Sequence, residues 1–121
     1  MKLVDLVRSA AGKGRRLAAA YPGSAKKDDL PWRVIEPFDA DVRGQVERDR
    51  RIEDERDRVL IAAVGLAEAD DRDADAVEAA RRHLVAAIDY LEQAVLRFGR
   101  VNQAAARLGY GDAGDRVSTE G

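Results

Sequence analysis

Val77, Leu84, Leu91 and Phe98 fall seven residues apart, with Ile88 and Val95 in the companion positions and Ala80, Ala87 and Ala94 beside them. Seven residues make about two α-helical turns, so this spacing puts the whole set on one face of a single helix. An apolar stripe of that length has to be covered, and whatever covers it sets the fold. The segment Asp75-Ala76-Val77-Glu78 just ahead of the stripe has the form of a capping box with Asp in first place, which predicts a helix start at Asp75. Gly99 supplies the stop.

The natural cover is a second helix, with Asp39 as N-cap and an end near Ala67. Its two halves differ. From Asp41 to Arg58, 13 of 18 residues are charged, with a favourable four-residue pair in Glu47 and Arg51 and an unfavourable one in Glu53 and Asp57. From Val59 to Ala67 nearly every residue is apolar, the pattern of a segment surrounded by protein. A helix with this polarity is expected to project out of its core at the charged end.

Upstream, Leu3, Val4, Leu6, Val7, Ala10, Ala11, Leu17 and Ala18 predict a helix over residues 2–20, weakened by Gly12 and Gly14 and ended by Pro22-Gly23. Between it and Asp39, Pro31 and Pro37 disfavour helical angles in the residues before them, which predicts an extended segment. That segment is too apolar for a plain linker. Trp32, Val34, Ile35 and Phe38 are its candidate partner-binding anchors, because aromatic and branched residues on an extended arm fill pockets on a neighbour. The alternative is that Trp32 and Phe38 cap the chain's own helices. A short helix over 101–108 follows Gly99, and Gly111 to Gly121 reads as a tail.

The expected architecture is therefore all-α. It comprises a basic N-terminal helix (1–21), an extended proline-bounded arm (22–38), a long antiparallel helical hairpin with a short C-terminal helix (39–109) and a tail (110–121). Hydrophobic residues are 45% of the 121, but 22 of those 55 are Ala, so the core is thin and association with other subunits would help it. The longest uninterrupted apolar run, Val59 to Val64, has six residues, whereas a membrane span needs about 20. Asp5 and Arg8 interrupt the first apolar stretch, unlike a secretory signal. The expected location is the cytoplasm, or an assembly formed there.

The net charge of −2 conceals an uneven map: +6 over residues 1–27, −8 over 28–75 and zero over 76–121. Lys13, Arg15, Arg16, Lys26 and Lys27 form a basic patch. It suits the acidic middle of this chain or of a neighbouring copy, and also phosphates of nucleic acid or an anionic membrane surface. Ala11-Gly12-Lys13-Gly14 looks like a phosphate-loop fragment, but Lys13 is not followed by Ser or Thr. Asn102 to Gly109 resembles the first helix and turn of helix-turn-helix modules. The continuation, with Gly111, Asp112, Gly114 and Asp115, lacks a recognition helix, so a Gly-terminated helix is the better reading.

The inventory for catalysis is short. There is no Cys, hence no disulfide, thiolate metal site or cysteine nucleophile. The one histidine, His83, has Ala at positions 79, 80, 86 and 87, so no second metal ligand shares its helical face. The Asp70 to Asp75 cluster lacks the central Gly and terminal Glu of a twelve-residue calcium loop. No catalytic residue, cofactor or metal is expected. The sequence points to a non-enzymatic structural or assembly subunit of a multi-protein complex, such as a bacteriophage virion component, that docks through its arms. The alternatives are a nucleic-acid-associated regulatory protein using the basic N-terminal helix, or a non-catalytic accessory subunit of an enzyme.

Overall fold

The computed structural model describes residues 2–22 and 29–102. Four helices account for most of them: α1 (Leu3–Ala20), α2 (Leu30–Asp41), α3 (Arg50–Glu68) and α4 (Ala74–Phe98), with a single 3-10 turn at Arg43–Gln45. The described residues contain no strand, only an isolated antiparallel bridge between Val46 and Val101.

Each helix packs against its neighbours in sequence, and α4 returns to α1, so the four close into a ring around one core. The heptad stripe behaves as its spacing dictates: Val77, Leu84, Ile88, Leu91, Ala94 and Val95 are buried. Phe98 is partly buried, with the Arg51 guanidinium stacked 3.7 Å over its ring. That contact joins the start of α3 to the end of α4. Since the five residues Ala69 to Asp73 join the other two ends, α3 and α4 run antiparallel.

Two boundaries move. The extended arm expected over 22–38 is a helix from Leu30 onward, and the second helix expected from Asp39 is interrupted at Val42 and restarts at Arg50. Pro31 is tolerated because it sits at the second helical position, where its missing N–H has no intrahelical acceptor to lose. Pro37 does cost a backbone bond inside α2. Burial of Leu30, Val34, Ile35 and Phe38 on one face outweighs it, each worth about 1.5–3 kcal/mol. Val42 and Val46, beyond the end of α2, are also buried in the core. Asp49, not Asp39, caps α3: its side chain accepts from the Arg51 N–H at 2.8 Å. α4 likewise starts two residues early, capped by Asp73 accepting from Ala76 N–H at 3.0 Å. The helix expected over 101–108 begins with Val101 and Asn102 in bridge and coil conformation; the rest of it, and the tail, lie outside the described residues.

Gly14, a weak point by propensity, is a position where α1 packs tightly against both α2 and α4. A Cβ there would lie 3.1 Å from Ile88 Cδ1 of α4 and 3.5 Å from Val34 Cγ1 of α2. At the C-terminus of α1, which has no basic residue of its own, Arg81 reaches from α4 to donate to the carbonyls of Ala18 and Tyr21.

Candidate interaction surface

Among the described residues no charged side chain is buried, and no group of three His, Asp or Glu residues is placed to hold a metal ion. Nor is any of these helices long and apolar enough to cross a membrane. Three surface features stand out among the described residues: an apolar face, a basic groove and, lining neither, the exposed Trp32.

The apolar face lies on the outer side of α3 and α4. Ile61 is 70% exposed and Tyr90 66% exposed. Both line a groove of about 480 Å³ that also includes Ala62 and Gly65 of α3 and Ala80, Ala86 and Ala87 of α4. Glu55 and Arg58 close one end, paired to each other at 3.0 Å, and His83 stands in the wall. The cause is legible in the helix itself. The segment Val59 to Ala67 is apolar nearly all round, but the rest of the chain covers only the side that carries Val59, Ala63 and Leu66. His83 lines the same groove, exposed beside Ala80, Ala86 and Ala87.

The expected anchors divide differently. Val34, Ile35 and Phe38 belong to the chain's own core at 4%, 1% and 3% exposure, so they are not free to enter a partner. Trp32 alone faces outward, 63% exposed on α2 beside Asp29, Arg33, Glu36 and Asp39. The helical period explains the split: positions 34, 35 and 38 share the inner face of α2, and position 32 lies opposite.

The basic patch is also divided. Arg15 turns to α4, where its guanidinium meets Asp89 at 2.8 Å and also pairs with Glu92. Lys13 and Arg16 instead line an open groove between α1 and α2 together with Arg33, Glu36 and Pro37. Lys26 and Lys27 lie outside the described residues.

Sequence reasoning missed the α3–α4 face as a site. The signal was present in the all-round apolar character of 59–67, but only the packing shows which side stays uncovered. Comparison with protein-family models, curated proteins and solved structures found no match to this chain.

Proposed function

We propose that the protein is a non-enzymatic assembly subunit of a multi-protein complex that docks through the outer face of α3 and α4. The exposed pair Ile61 and Tyr90 in an Ala- and Gly-lined groove carries this reading. Large apolar side chains standing beside a shallow apolar groove mark a surface meant to be covered. A virion or comparable multi-subunit particle is one setting that suits such a chain, and Trp32 on α2 offers a second, smaller contact. The test is to tag the chain in its native cells and identify what purifies with it, wild type beside Ile61→Glu and Tyr90→Glu. Stoichiometric subunits held by the wild type and lost by both variants support the reading. Identical co-purification in all three removes this face from the account.

A second reading rests on Lys13 and Arg16 opening on the same groove as Arg33. Three cations on two adjacent helices suit a phosphodiester backbone. Binding to DNA or RNA through them would weaken steeply with salt and drop in Lys13→Glu/Arg16→Glu. Indifference to salt and to these substitutions would remove it.

A further inference from the structure

Large and small residues occupy opposite ends of the α3–α4 face. Because the helices run antiparallel, Tyr90 stands at the end marked by Glu55 and Arg58, while the hollow at Gly65 and Ala80 lies at the other, with Ile61 and His83 between. Nothing lies within 4 Å of where a Gly65 Cβ would be, so the hollow is open. Charge along α4 and the turn before it follows the same axis. Beyond Gly65, residues 68–75 carry Glu68, Asp70, Asp71, Asp73 and Asp75 against Arg72 alone, a net of −4. On α4 beyond Tyr90, residues 93–102 carry Arg97 and Arg100 and no acid, a net of +2, while the start of α3 at the same end is mixed, residues 47–58 carrying six acids and five bases. Arg97 continues the stripe of His83 and Tyr90 at the same seven-residue spacing and is exposed, with its guanidinium 6.0 Å from the centre of the Phe98 ring.

We propose that the occupant of this face is a second copy of the chain, related by a two-fold axis perpendicular to the helices and passing near Ile61 and Ala87. This rests on the docking role proposed above and names the partner. In a two-fold contact every feature must meet its complement on the same surface. Here Tyr90 of each copy covers Gly65 and Ala80 of the other. Seven residues further on, about 10 Å along the helix, Arg97 of each copy comes over the other's acidic turn at Glu68, Asp70 and Asp71. A parallel arrangement would instead bring Tyr90 over the other copy's Glu55 and Arg58, away from the hollow, and set acidic turn on acidic turn. Size and charge thus favour the same antiparallel register.

The test is sedimentation velocity on the full chain over a range of concentrations, with helicity and thermal unfolding as folding controls. The wild type is expected to sediment at twice the chain mass at micromolar concentration. Gly65→Phe projects into open space and leaves the fold intact, but it blocks the partner's Tyr90, so its dimer dissociation constant should rise about tenfold or more. Arg97→Glu and Glu68→Arg should each weaken self-association by about tenfold at low salt. Mixed one to one, they should form a heterodimer close to wild type in affinity, because each acid then faces a base at both ends. A wild type that stays monomeric at hundreds of micromolar overturns the proposal, and so does a dimer unaffected by Gly65→Phe. A dimer sensitive to Gly65→Phe but not restored by the charge exchange overturns the antiparallel register and with it the proposal. A monomer that still loses its native-cell partners on Ile61→Glu leaves the assembly reading standing with a different occupant, whereas a monomer with no such partners ends both.

Discussion

Arg56 holds Asp39 with two nearly parallel hydrogen bonds, Nε to Oδ1 at 2.8 Å and a terminal nitrogen to Oδ2 at 2.6 Å, tying the middle of α3 to the last turn of α2. The side chains are 12% and 28% exposed, so the pair is sheltered from water. The carboxylate's hydrogen bonds raise the Arg56 pKa above its ordinary value. Fork-to-fork geometry of this kind is among the stronger polar contacts a protein makes. Arg56→Ala should lower stability by about 2 kcal/mol in urea unfolding, and Arg56→Lys should recover only part of it, since one ammonium cannot reproduce the fork. Equal stability of all three would show that the pair contributes nothing net.

The crossing at Gly14 predicts a size-dependent penalty. Gly14→Val should cost about 1–3 kcal/mol by overpacking, although the substitution removes a flexible residue from a helix. Gly14→Ala combined with Ile88→Val should be more stable than the sum of the single changes, because Val lacks the Cδ1 atom that stands 3.1 Å from the new methyl. A double-mutant cycle by thermal denaturation reads this coupling, and strict additivity would contradict the close approach.

Phe38 and Trp32 should part company under truncation. Phe38→Ala empties a fully packed position and is expected to cost about 3–5 kcal/mol. Trp32→Ala removes a mostly exposed ring and should change stability by less than about 0.5 kcal/mol. Comparable losses in the two variants would place Trp32 in the core.

Asp49 supplies a pH signature. The Arg51 guanidinium, hydrogen-bonded to it at 2.8 and 3.1 Å, and then the Arg51 backbone N–H, lower its pKa from 3.8 to about 2. A carboxyl whose folded-state pKa is depressed binds its proton more readily when unfolded. Its stabilising contribution is therefore present above the ordinary value and lost as pH falls through about 2. Carboxyl carbon shifts followed by NMR should show Asp49 titrating near 2, and stability should depend less on pH across this window in Asp49→Asn. A midpoint for Asp49 at the ordinary value would dissolve the cap.

The α1 cap gives a local prediction. Arg81→Ala leaves the Ala18 and Tyr21 carbonyls without their donor, so amide exchange should accelerate in the last turn of α1 and not in α3. Uniform exchange across both helices would contradict this role.

Much of the helical content was legible because it is written in local periodicity. The α4 stripe and the ends of α1 follow from spacing, from Pro22-Gly23 and from Gly99, all of which act on their immediate neighbours. Residues 30–49 were not legible in the same way. Pro31 and Pro37 argue locally against a helix, and Asp39 followed by a charged run argues locally for a helix start. Both local signals lost to tertiary terms: burial of Val34, Ile35 and Phe38 against the other helices, and recruitment of Asp39 by Arg56, which left Asp49 to cap α3.

That this chain is helical, that α4 organises it, and that residues 59–67 are apolar on nearly every side is written in residue order alone. Packing settled that Val34, Ile35 and Phe38 turn inward while Ile61 and Tyr90 stay outside, and that Arg15 faces α4 while Lys13 and Arg16 face a groove. Hydrophobic burial is non-directional. A sequence says which side chains gain by leaving water, and only the packed helices say which of them find cover in their own chain.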